Sequence, residues 1–261
     1  MQREITRELV QKMLPKRSAN TNKGSYGSVL AAAGSLAYRG AAALCTEGAL
    51  RGGAGLVYLA SVEPVVQLVL SRTPECCACG CRTAANGGIH PKDAAALRDW
   101  FAGKNAVLLA GPGLGESAAG VCRALLGKDA PWAGAVLDAD ALNALAAGKY
   151  KGELPAGSIL TPHPAEAARL LGTTVSEVQS DGDHRDLHSF PTRRSSDLTA
   201  GLLAAGLRQG CTPEEAAICA VWLHGAAADA CAARRSMTAM LPTDIFADLG
   251  EILAGLEPEV M

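Results

Sequence analysis

An α/β fold, with a mostly parallel central sheet and helices on both faces, is what this sequence predicts. Three observations carry it. Short apolar runs recur with Ala/Leu-rich segments of helical spacing between them. The runs are apolar throughout instead of alternating, as strands covered on both faces must be. The stretches rich in glycine, proline and acid fall just past the runs, at the carboxyl rim where such sheets collect their ligands.

The elements follow in order. A first amphipathic helix ends near Met13–Leu14, because Pro15 disfavours its continuation. Ser25–Ala33 (SYGSVLAAA) reads as a buried strand, with a turn at Gly34–Ser35. Ala41–Arg51 is helical and closes at Gly52–Gly53. Leu56–Ser61 is a second strand, and Pro91–Trp100 a helix. Ala106–Ala110 is a strand that runs straight into Gly111–Gly115 (GPGLG). Helix Ala118–Leu126, strand Ala135–Leu137 and helix Ala141–Ala147 come next. Strand Ser158–Leu160 then runs into Thr161-Pro162-His163-Pro164, and helix Ala165–Leu171 follows. No internal repeat and no long linker interrupts the series, so residues 1–261 are read as a single domain.

Bulk properties exclude several classes. The 261 residues are 49% apolar and 19% charged, which is globular and not disordered. A net charge of −2 sets up no field toward nucleic acid or an anionic membrane. No apolar run reads as long enough to span a bilayer. The charged N-terminus lacks the apolar core and cleavage site of a signal peptide, so a cytoplasmic location is expected. Nine cysteines in such a chain are mostly small buried apolar residues. The cluster Cys76–Cys81 holds one C-x-x-C, Cys76 to Cys79, with no second pair at zinc-ribbon distance. It is read as a Cys-rich strand or loop, not a metal site.

The motifs carry chemistry of differing sharpness. GPGLG lets a ligand approach the backbone, and the helix after it offers free N–H groups, but a tight turn explains it equally. Its spacing is neither that of a P-loop nor G-x-G-x-x-G. In Val136–Asn143 (VLDADALN), Asp140 reads as a helix N-cap, and Asp138 as a strand-end acid that could instead face a ligand or a metal-bound water. In Ile159–Glu166 (ILTPHPAE), two prolines fix the backbone around His163, and Glu166 enters the first turn of a helix. His163 is the sharper functional candidate because it stands at the rim. His224 and Trp222, in VWLHG, read as helix-packing residues.

Taken together these stretches resemble one family. Lys23–Gly27, Ala33-Gly34-Ser35, Gly40-Ala41-Ala42 and Ala49–Val57 look like the opening of the ADP-dependent NAD(P)H-hydrate dehydratases. GPGLG, LDADALN and LTPHPAE continue the match in order, and AGLLAAG, Pro213–Ala217, VWLHG and Leu241–Ile245 (LPTDI) close it. The resemblance implies a ribokinase-like three-layer sandwich and a hydro-lyase of metabolite repair. Such an enzyme dehydrates the (6S) hydrate of NADH or NADPH at the expense of ADP, giving NAD(P)H, AMP and phosphate. Phosphorylation turns a poor leaving group, hydroxide, into a good one, which a kinase-like fold can do with a base and phosphoryl donors. The resemblance further implies that the hydrated nucleotide contacts Ala41, Gly113 and His163. Glu166 would support Mg²⁺ through water, and the assembly would be a homo-oligomer, a tetramer.

The chain departs from the family after HPAE. A strand leading to a Lys-Gly loop for the nucleotide phosphates is absent. So is a Gly-rich segment, N-P-G-M-A-T-G-G-S-G-D, whose N–H groups and Asp would form the anion hole and base. Strands are therefore expected to be missing after residue 181, and the nucleotide-binding and catalytic residues stay unassigned. In their place stands Gly182–Leu198, GDHRDLHSFPTRRSSDL, without one Ala among Ala-rich neighbours. At all seventeen positions it is similar to an in-frame translation of a common short-read sequencing adapter. It is read as foreign sequence, to be set aside as a fusion scar would be. His184, His188 and Arg193-Arg194 are accordingly not read as ligands. Counted back from Ala200–Leu203, Asp197 stands too close to that helix to be the family Asp. Two other readings remain: a small-alcohol kinase of the same superfamily, of the thiamine-precursor type, and a non-enzymatic chimeric fragment.

Overall fold

The structure, a computed structural model, describes residues 4–16, 24, 26–127, 129–150, 153–180 and 196–257. Thr6 caps the first helix, α1 (Arg7–Met13), by accepting the Leu9 N–H, and the helix stops before Pro15 as expected. Then follow β1 (Ser28–Ala32), α2 (Arg39–Arg51), β2 (Leu56–Val62), α3 (Glu63–Arg72), β3 (Cys77–Cys81) and α4 (Pro91–Phe101). Next are β4 (Val107–Ala110), α5 (Ala118–Leu125), β5 (Gly134–Leu137), α6 (Asp140–Ala146), β6 (Ile159–Leu160), α7 (Pro164–Leu171) and α8 (Val175–Ser180). Helices α9 (Ser196–Arg208), α10 (Pro213–Arg234) and α11 (Ile245–Ala254) complete the described chain.

The strands form one parallel sheet in the order β3-β2-β1-β4-β5-β6. The chain winds outward from β1 to β3, then crosses back beside β1 and winds the other way. The crevice between the carboxyl ends of β1 and β4 is thus the switch point of the topology. Among the described residues no strand follows β6.

Two apolar layers follow from the strand alternation. Val29, Ala31, Val57, Leu59, Val107 and Leu109 face the layer of α2, α3, α9, α10 and α11. Leu30, Ala32, Ala60, Leu108 and Leu137 face the layer of α4, α5 and α6. The result is the expected three-layer sandwich. Helices α2 and α9 meet backbone to backbone: a Cβ on Gly201 would stand 2.3 Å from the Cys45 carbonyl oxygen. A side chain at Gly201 would push α9 off the sheet, and with it the first turn of α9 that reaches the rim.

Two features, α3 and α10, differ from the sequence reading, and the cysteine cluster takes the strand form it allowed. Helix α3 occupies Glu63–Arg72, a Val-rich stretch whose strand-like composition conceals it; Pro64 in its first turn is compatible with a helix start. The cysteine cluster becomes an edge strand. Its alternation sends Cys76 into one apolar layer and Cys81 into the other, and among the described residues no three potential metal ligands converge. Helix α10, 22 residues long, does have the length and apolarity of a membrane span, against the composition reading. Its Ala216, Cys219, Ala220, Leu223, Ala227 and Cys231 are buried in the core with α9 and α11, which makes it a core helix.

Candidate active site at the carboxyl rim

The rim is built by four loops. Gly34, just past β1, donates its N–H to the Pro112 carbonyl at 2.8 Å, and Gly111 donates back to the Ala32 carbonyl at 3.3 Å. This stitches the two loops across the switch point. Gly113 has φ +64°, and a Cβ there would come within 2.6 Å of the Tyr38 carbonyl oxygen and 2.9 Å of Ala41 Cβ. Only glycine allows that approach. Two of the residues implied by resemblance, Ala41 and Gly113, are thereby brought together.

Past β5 the backbone turns through Ala139 at φ +48°, a strained value for a residue with a Cβ. That turn sends the flanking acids to different partners. Asp140 is not the N-cap of α6; Ala139 holds that position and Asp140 opens the helix. The Asp140 carboxylate instead accepts the Gly115 N–H at 2.7 Å, tying GPGLG to LDADALN. Asp138 is 1% exposed. Its Oδ1 accepts the Thr161 hydroxyl at 2.8 Å, while Oδ2 has no hydrogen bond of normal geometry among the described residues. Burial pushes the Asp138 carboxyl up to about 6, with the Thr161 hydroxyl pulling the other way and the Glu166 charge adding to the rise.

Past β6, His163 is the N-cap of α7. Its Nδ1 accepts the Ala165 N–H at 3.2 Å, which leaves the neutral ring's proton on Nε2, 3.3 Å from Glu166 Oε1. Glu166 Oε2 accepts the His163 backbone N–H at 3.1 Å, closing a capping box. The two residues are thus paired. Glu166 is buried by the pairing, whereas the His163 side chain remains 58% exposed at the rim.

Beyond these loops, the start of one helix also reaches the rim. Helix α9 begins at Ser196, not at Ala200, so Asp197 lies within its first turn and is 6% exposed. Burial raises the Cys45 thiol well above its ordinary range, and the nearby charges of Asp197 and Asp138 add to that rise. The count anchors on the apolar AGLL run, and the helix extends before that run to Ser196. The remaining residues excluded as ligands, His184, His188 and Arg193-Arg194, lie outside the described residues, as does most of the 182–198 stretch. Thr161 and the Asp140–Gly115 link were also missed, since each is a contact between loops distant in sequence.

The rim therefore gathers Ala41 with Gly113, His163 with Glu166, and the buried acids Asp138 and Asp197. Such a set can hold a polar ligand against backbone and move a proton. The family model of the NAD(P)H-hydrate dehydratases matches residues 29–189 and 195–250, and the break between the two falls inside the 182–198 stretch. The bifunctional NAD(P)H-hydrate repair enzyme of Moorella thermoacetica is 34% identical over 295 residues, covering 99% of this chain and 55% of that protein. The chain spans about half the length of that relative. The alignment also runs longer than the 261 residues available here, so part of the relative has no counterpart in this chain. The ADP-dependent (S)-NAD(P)H-hydrate dehydratase of Neisseria meningitidis is 32% identical over 256 residues, with 82% and 80% of the two chains covered. Among solved structures, the ADP/ATP-dependent NAD(P)H-hydrate dehydratase of Bacillus subtilis, co-crystallised with ATP and Mg²⁺, superposes with a TM-score of 0.76 at 26% identity. That match covers 97% of this chain and 98% of that one. A ribokinase-like protein of Enterococcus faecalis, at 21% identity and a TM-score of 0.79, shares the fold.

Proposed function

The chain belongs to the NAD(P)H-hydrate dehydratase family, and we propose that its parent gene encodes an ADP-dependent dehydratase of hydrated NADH and NADPH. The observation that carries the proposal is the rim itself, where Gly113 closes on Ala41 and His163 is held by Glu166. In this reading the hydrated nicotinamide lies against Ala41 and Gly113, with the exposed edge of His163 as its polar contact. ADP phosphorylates the 6-hydroxyl, and elimination of phosphate restores the ring.

Mg²⁺ is tested by the donor set. Both Glu166 oxygens are engaged by His163, and no three candidate ligands converge among the described residues. That chemistry fits a hydrated ion held by Glu166 through water, not one bound directly. When bound, the ion would neutralise charge on the ADP phosphates. A cytoplasmic homo-oligomer, as in the tetramer expected by resemblance, belongs to the same reading.

The stretch 182–198 stands, in this proposal, where the family's nucleotide-phosphate segments belong. The chain as written is then expected to turn over no hydrate. Replacing 182–198 with the full family segment should restore ADP-dependent recovery of NADH absorbance. Turnover by the 261-residue chain itself would refute the assignment of the lost half-site. If the restored chain instead phosphorylated thiamine precursors and left the hydrate untouched, the kinase reading would replace this one.

A further inference from the structure

One segment singled out in the sequence has no role in the rim: Leu241-Pro242-Thr243 of LPTDI. It forms one wall of a groove of about 780 Å³, whose other walls are α2 and α3. The wall is built, not loose. The Asp244 carboxylate accepts the Leu241 N–H at 2.9 Å and pairs with Arg235 at 3.4 Å. The volume lies within the range of small-molecule sites.

The groove starts at Gly40, where no atom lies within 4 Å of the position a Cβ would take. Gly40 precedes Ala41, the residue against which Gly113 packs, so the groove begins at the same end of α2 as the proposed nicotinamide contact. It runs along α2 to Glu47, about 10 Å at the helical rise. The floor is apolar, made by Ala43, Leu44, Leu68 and Met240, with Met237 and Leu241 exposed at the lip. Thioether and aliphatic groups so placed suit a flat base. At the far end stands Arg72, in the last turn of α3. Its guanidinium makes no ion pair among the described residues, while the Glu47 charge opposite is taken by Arg51 at 2.8 Å. The far end is therefore electropositive, and a guanidinium fork is the group that reads a phosphate dianion.

We propose that this groove seats the adenosine half of the dinucleotide and that Arg72 contacts a 2′-phosphate there, so that the site favours the phosphorylated form, NADPH hydrate. The inference rests on the dehydratase reading for the identity of the ligand, but its test does not need catalysis. Adenosine 2′,5′-bisphosphate and 5′-AMP are titrated calorimetrically into the chain as written; neither probe carries a nicotinamide. The bisphosphate should bind about fivefold tighter or more, the range for an accessible charge-assisted contact. Arg72→Ala should erase that preference and leave 5′-AMP binding unchanged. Leu241→Asp, at an exposed lip position that folding tolerates, should weaken both probes. Equal binding of the two probes, a preference that survives Arg72→Ala, or no binding of either overturns the proposal. Turnover by the restored chain is measured separately, so the subsite can fail while the dehydratase reading stands, and the reverse.

Discussion

Asp138→Asn is the substitution whose outcome the structure constrains most tightly. The wild-type carboxyl is 1% exposed and is lifted from its ordinary 3.8 to about 6, chiefly by burial. A carboxyl raised in the folded state binds its proton there at pH values where the unfolded chain has already released it. Stability is therefore highest below about pH 4 and falls as pH rises through about 6. The full effect of that rise is about 3 kcal/mol, and about 2 kcal/mol of it accumulates between pH 4.5 and pH 8. Asparagine keeps an oxygen for the Thr161 hydroxyl and never ionises. Urea unfolding of both proteins at about pH 4.5 and about pH 8 should show the variant gaining about 2 kcal/mol on wild type at the higher pH. The comparison across pH matters more than either value, because the buried amide adds a cost that does not depend on pH. A difference constant between the two pH values, or one favouring wild type at pH 8, would refute the reasoning that Asp138 is held at the rim against its own ionisation.

Other outcomes follow from the same geometry. Gly113→Val places a branched side chain at φ +64° against Tyr38 and Ala41. It should cost about 2 kcal/mol or more and abolish NADPH binding, read by thermal melting and by nucleotide fluorescence. Asp140→Ala leaves the Gly115 N–H without its acceptor. A loss of about 1–2 kcal/mol and faster hydrogen exchange at Gly115 are expected, and unchanged exchange would deny the loop-to-loop tie. Glu166→Ala opens the α7 capping box and should cost about 1 kcal/mol, with Glu166→Gln costing less, as measured by the denaturant midpoint.

Much of this protein was legible in its residues because the deciding physics is local or periodic. Val107–Ala110 is apolar at every position, as a strand covered on both faces is, and the turn chemistry of GPGLG marks where it ends. The pairing of His163 with Glu166 lies within one helical turn, so spacing alone brings the two residues to the same site. Even the change of vocabulary at 182–198 is a property of the linear chain. What lay beyond the sequence is what depends on neighbours far along it. Asp140 reads as a helix cap until β4 and β5 pair and set Gly115 beside it. The burial of Asp197 follows only once Gly201 lets α9 lie against α2 and brings the start of the helix to the rim. A carboxyl's proton affinity likewise depends on its burial, and burial is decided only when the layers close. Sequence determines which residues can take part; the tertiary structure decides which of them lose water together, and at this rim that loss sets the chemistry.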